Sequence, residues 1–121
     1  MITLHTINDE QMQEIINNKD ITDSIKNKSE NVIAIFTQDW CGDWHRVEKE
    51  LEKNKDISEI DIDVFICVYN LSALHEPFMN FKESVWNNDL IPYLRFYKNG
   101  NFLKDSNIIG FFKILEIFKN A

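Results

Sequence analysis

Residues 32–44 read Val32-Ile33-Ala34-Ile35-Phe36-Thr37-Gln38-Asp39-Trp40-Cys41-Gly42-Asp43-Trp44. The first five are uninterrupted apolar residues, the pattern of a short central strand buried on both faces. After a brief polar turn, Trp44, Val47 and Leu51 recur at helical spacing with charged residues between them. A cysteine therefore stands at the junction where a buried strand gives way to a helix.

Outward from this junction the hydrophobic period changes repeatedly. Residues 2–7, Ile-Thr-Leu-His-Thr-Ile, alternate as a half-buried strand does. Asn8 or Asp9 can cap a helix that carries Met12, Ile15 and Ile16 on one face. A further strand is expected over 62–71, and a helix over 76–86 with Phe78, Phe81 and Val85 along one stripe. Tyr93-Leu94-Arg95-Phe96-Tyr97 and Phe102-Leu103 flank Lys98-Asn99-Gly100-Asn101, a hairpin signal. A last helix over 111–119 buries Phe111, Ile114, Leu115 and Phe118. The order is βαβαβαββα. Strands separated by helices imply parallel pairing, and the closing hairpin adds antiparallel strands to the same sheet.

Composition narrows the function. The chain has 121 residues, 44% hydrophobic and 27% charged, with three glycines and two prolines. That is the length and make-up of one globular domain, 1–121, rather than of a disordered or collagenous chain. Twenty acidic against thirteen basic residues give a net charge of -7, which disfavours nucleic acid as a partner. Two cysteines make neither a disulfide framework nor a zinc ribbon. Met1-Ile2-Thr3-Leu4-His5 lacks the features of a signal peptide, and the apolar stretch 32–36 is far shorter than the ~20 residues of a membrane helix. A cytoplasmic location without membrane contact is expected, where thiols stay reduced. The glycines, at 42, 100 and 110, form neither a phosphate-binding loop nor a nucleophile elbow.

Asp39-Trp40-Cys41-Gly42-Asp43-Trp44, together with Ile91-Pro92-Tyr93-Leu94-Arg95-Phe96-Tyr97-Lys98-Asn99-Gly100 and Gly110, resembles the thioredoxin family across essentially the whole chain. The family carries Trp-Cys-Gly-Pro-Cys at the first motif and Ile-Pro-Thr before the strand and turn of the second. The resemblance implies an α/β, thioredoxin-like fold with a central mixed sheet flanked by helices. It also implies a nucleophilic Cys41 facing a cis Pro92. Trp40, Gly42, Asp43, Trp44, Ile91, Pro92 and Tyr93 would then form the substrate groove, with Trp40, Trp44 and Tyr93 as its aromatic rim. The sequence departs from the family at three places. Trp44 stands where the resolving cysteine would be, Ile35 replaces the buried acid, and Tyr93 replaces the Thr.

These departures set the chemistry. Thiol–disulfide exchange needs a thiolate. A helix N-terminus contributes roughly 0.3–1 kcal/mol towards one, whereas Asp39 and Asp43, at roughly 7 Å, each cost about 0.6 kcal/mol even in water. His45, one turn on, offsets them when protonated. The residues leave open whether Cys41 is activated. Trp44 cannot release a mixed disulfide, and Cys67, in an apolar stretch, is expected to be a core residue. Turnover would therefore use an external thiol. The expected partners are protein thiols and disulfides or a low-molecular-weight thiol, with no cofactor. The rival reading is a catalytically inactive thioredoxin-fold module that binds a protein partner. A Cys41/His45 metal site with Asp39 or Asp43, or a cluster shared across a dimer, is the least favoured.

Overall fold

A computed structural model describes residues 1–107 and 110–121. Five strands form one sheet in the order β1-β3-β2-β4-β5. The strands are β1 (Ile2–Thr6), β2 (Asn31–Thr37), β3 (Ile62–Val68), β4 (Tyr93–Lys98) and β5 (Asn101–Ser106). β1, β3 and β2 run parallel, whereas β4 runs antiparallel to β2 and pairs with β5 as a hairpin. The sheet class and order of strands agree with the expected βαβαβαββα scheme.

β2 occupies the centre, as its apolar sequence requires, and every one of its residues is buried. Its alternate residues serve two cores. Val32, Ala34 and Phe36 pack with Met12 and Ile15 of α1 (Asp9–Asn18), Ile25 of α2 (Asp23–Lys26) and Phe78 and Phe81 of α4 (His75–Ser84). Ile33 and Ile35 face the other way, onto Trp44, Val47 and Leu51 of α3 (Gly42–Asn54) and Ile114, Leu115 and Phe118 of α5 (Phe111–Lys119). α1 begins with a reciprocal capping box between Asn8 and Gln11, the cap expected there. In the hairpin, Asn99 and Gly100 both take positive φ (50° and 79°), the backbone that a tight two-residue turn demands.

The structure corrects four details. A one-turn helix, α2, precedes β2. β3 stops at Val68, and residues Tyr69–Leu71 form a 3-10 turn instead of continuing the strand to 71. α4 spans His75–Ser84 rather than 76–86, and β5 extends over Asn101–Ser106, well beyond Phe102-Leu103.

The topology brings the candidate residues to one end of the sheet. The chain leaves β2 towards α3 on one face and leaves β3 towards α4 on the other. At such a divergence the carboxyl ends of neighbouring strands are left uncovered, which is where open α/β sheets present their sites. Antiparallel pairing of Phe36 with Tyr93 brings the segment before β4 to the same end.

Candidate functional site

Cys41 is the N-cap residue of α3, with extended backbone (φ -77°, ψ 114°). Its Sγ accepts a hydrogen bond from the Trp44 N–H at 3.4 Å, satisfying one of the helix's unpaired donors. The same sulfur donates its S–H to the Ile91 carbonyl at 3.7 Å. The sulfur thus bridges the start of α3 and the loop before β4, where the Ile91–Pro92 peptide is cis. Cys41 is only 5% exposed.

Four side chains hold the turn that carries Cys41. The Asn70 carboxamide binds Asp39 twice, accepting from its backbone N–H at 2.9 Å and donating to its carboxylate at 2.7 Å. Gln38 links the exposed indole N–H of Trp40 (2.8 Å) to the Tyr69 hydroxyl (3.2 Å). His45 Nε2 lies 2.5 Å from the Asp39 carbonyl, and its Nδ1 lies 3.4 Å from Glu48. The carbonyl contact, followed by Glu48, raises the pKa of His45 above the ordinary imidazole value. Asp43 pairs with Arg46 at 2.9 Å. Both acids that flank Cys41 are therefore engaged.

The groove residues expected from the sequence separate into two sets. Cys41, Trp44 and Ile91 meet around the sulfur, with Pro92 next to Ile91 in the same loop. The aromatic rim is not as expected. Trp40 stands in solvent at 68% exposure, but Trp44 (2%) and Tyr93 (0%) are core residues. Trp44 points into the α3–α5 side of the sheet, with Ile33 and Ile35. Tyr93, the first residue of β4, lies in the opposite core, where burial pushes its hydroxyl up to about 12 and it donates a hydrogen bond to Asp105 at 2.8 Å. Gly42 has open space where a Cβ would stand.

Cys67 lies in the α1–α4 core, whereas Cys41 lies in the α3–α5 core, so the sheet separates the two sulfurs. Both are free thiols. Burial pushes the Cys67 thiol far above its ordinary range, which disfavours its thiolate. Among the described residues no three His, Cys, Asp or Glu side chains converge to hold a metal ion.

Sequence reasoning missed Gln38, Tyr69 and Asn70, because their ties to the Cys41 turn cross from β2 to β3. It also missed Lys82, a 1%-exposed lysine. Its signal was available, since Lys82 follows Phe78 by four residues and so belongs to the buried stripe of α4.

A cysteine that caps the helix after the central strand, set against a proline loop on a sheet of this order, defines the thioredoxin-like class. Residues 18–111 match the family model described as a thioredoxin-like domain, and the chain belongs to that family. Thioredoxin O1 from Arabidopsis thaliana in its oxidised state superposes with a TM-score of 0.63 at 16% identity, over 99% of this chain and 96% of that one. Oxidised thioredoxin from Plasmodium falciparum gives 0.57 at 19% identity, over 100% and 99% of the respective chains. A mutant thioredoxin from Halobacterium salinarum gives 0.60 at 16% identity, over 96% and 87%. At these identities the likeness is one of fold. No curated protein matches the sequence significantly. Among the described residues no helix is long and apolar enough to cross a membrane.

Proposed function

We propose that this chain is a thiol–disulfide exchange protein that works through Cys41 alone, in the redox homeostasis of the cytoplasm. The observation that carries this reading is the position of Sγ, fixed between the Trp44 N–H and the Ile91 carbonyl, with Cys67 in the core on the other side of the sheet. In the first step the Cys41 thiolate attacks one sulfur of a protein or small-molecule disulfide. A Cys41 mixed disulfide forms and the other sulfur leaves as a thiolate. In the second step an external low-molecular-weight thiolate attacks the substrate sulfur, restoring Cys41 and carrying away the new disulfide. Trp40, Gly42, Asp43, Ile91 and Pro92 would border the incoming chain. Trp44 and Tyr93 would support it from beneath.

The Trp44 N–H can donate to the sulfur of a thiol or of a thiolate. The Ile91 carbonyl can accept only from the S–H of the thiol. Exchange therefore requires Sγ to part from Ile91, and the 5% exposure of Cys41 requires the same movement for access. The burial of that sulfur also favours the second reading, a catalytically inactive module that binds a protein through the same face.

Mass spectrometry of the protein isolated from its own cell separates the two. A small-thiol adduct on Cys41, removed by reductant, is the expected result. A Cys41 that is reduced throughout, in cells under oxidative challenge, would favour the binding module.

A further inference from the structure

Among the described residues Lys82 is the only lysine that is fully buried, at 1% exposure, and none of its close contacts is a carboxylate. Its ammonium donates to the main-chain carbonyls of Asn88 at 2.8 Å and Leu90 at 2.7 Å, with the Asn88 side-chain oxygen at 3.4 Å. Glu83 and Asp89 act on it only from farther away, and burial dominates, pulling it down to about 8. The ammonium also lies 5.6 Å from the centre of the Tyr93 ring. Burying a lysine without a counter-ion is costly, so the carbonyls that receive it must be held in place to offset that cost.

Those carbonyls belong to the segment that leads from α4 to Ile91. Among the described residues no backbone N–H reaches either of them. The opposite side of the segment is held by Asn107, whose Nδ2 donates to the Asn88 side chain (2.8 Å), the Pro92 carbonyl (3.1 Å) and the Leu90 carbonyl (3.3 Å). The Leu90 carbonyl thus lies between two clamps, one from α4 and one from beyond β5. The next carbonyl along the chain, that of Ile91, is the acceptor for Cys41 S–H.

From this geometry we infer that Lys82 is a positioning residue for Cys41. It ties down the 88–90 segment and so keeps the Ile91 carbonyl on the sulfur, setting how readily Sγ is released to react. The inference rests on the reading of Cys41 as the reacting thiol. Lys82 touches no reacting atom; it acts through Leu90 and Ile91.

The test compares Lys82→Met, which keeps the apolar stem and removes every donor, with the wild-type chain. Iodoacetamide alkylation of Cys41 and Cys67 is followed separately by peptide mass spectrometry. Cys41 is expected to react about tenfold faster in Lys82→Met, the factor corresponding to one ordinary net hydrogen bond, while Cys67 stays protected. Asn107→Ala, which removes the second clamp without emptying the core, is expected to move Cys41 the same way by a smaller factor. This variant carries the test if Lys82→Met does not fold. Unchanged Cys41 rates, or Cys41 and Cys67 becoming reactive together, would overturn the positioning role, the latter by showing general loosening. Exchange of wild-type Cys41 with oxidised glutathione, run in parallel, reports on the underlying function. Its absence would count against the exchange reading, whereas a clamp failure shows only in the alkylation arm.

Discussion

Cys41 and Cys67 are both nearly inaccessible free thiols, yet they lie on opposite faces of one sheet and in different hydrogen-bonding surroundings. Cys41 sits at a helix start, where Trp44 N–H and the Ile91 carbonyl both reach its sulfur. Cys67 sits within β3, and burial, assisted by the charge of Asp9, suppresses its ionisation. On the proposed reading, burial alone does not decide which thiol can react. What matters is whether the sulfur stands at an element's end, where the backbone offers unpaired donors, or in a ladder that has none to spare.

The largest expected difference is in reactivity. In the native protein, iodoacetamide should label Cys41 markedly faster than Cys67, since burial within β3 suppresses the Cys67 thiolate. Comparable rates would remove the distinction between the two regions.

Trp44→Cys sharpens the comparison by placing a second sulfur on the Cys41 side. The introduced thiol would lie within the first turn of α3, three residues after Cys41, and on oxidation it should form a disulfide with Cys41 and permit turnover with a dithiol reductase. Because Trp44 is a buried core residue, the variant should also lose about 3–5 kcal/mol of stability, the range for truncating a buried tryptophan. Denaturant unfolding measures this loss, and an unchanged stability would contradict the packing role of Trp44.

A smaller effect concerns pH. Lys82 is held at about 8 in the folded chain against an ordinary 10.5. Between those values the unfolded chain binds a proton that the folded chain does not, so this group makes stability rise with pH across that window. Cys67, Tyr69, Tyr93 and Tyr97 are all shifted upwards and act in the opposite sense once their unfolded forms ionise, from about pH 9 for Cys67. Subtracting the Lys82→Met profile from that of the wild type isolates the lysine. The difference should favour the wild type increasingly from pH 8 to 10.5, by on the order of 3 kcal/mol in total. A flat difference would mean that Lys82 is not desolvated.

The sequence and the structure agree where the physical signal was local. The apolar alternation of β1, the continuous apolar β2 and the spacing of Trp44, Val47 and Leu51 each report burial directly, so the sheet and α3 were legible. α2 was not, because four residues with no side-chain cap at Thr22 carry no periodicity. The apolar pattern of β5 ends at Leu103 because it is an exposed edge strand whose Lys104, Asp105 and Ser106 show no apolar alternation. The end of β3 was misplaced because Asn70 leaves the strand to bind Asp39, a partner 31 residues away. At the site, the cysteine at a strand–helix junction and the proline loop could be read from motifs. The inward turn of Trp44 was implicit in its spacing with Val47 and Leu51, but that of Tyr93 could not be read, since an aromatic at a strand's first residue reads the same on either face. Nor could the Lys82 clamp, whose acceptors are main-chain carbonyls common to every residue.

The central claim is that Cys41 exchanges disulfides without an internal partner. Incubating the reduced protein with oxidised glutathione, digesting it and weighing the peptides tests it most directly. One glutathione on Cys41, none on Cys67, no Cys41–Cys67 bridge and release only when a free thiol is added is the result this account predicts. An unmodified Cys41, or a disulfide formed between the two native cysteines, would contradict it.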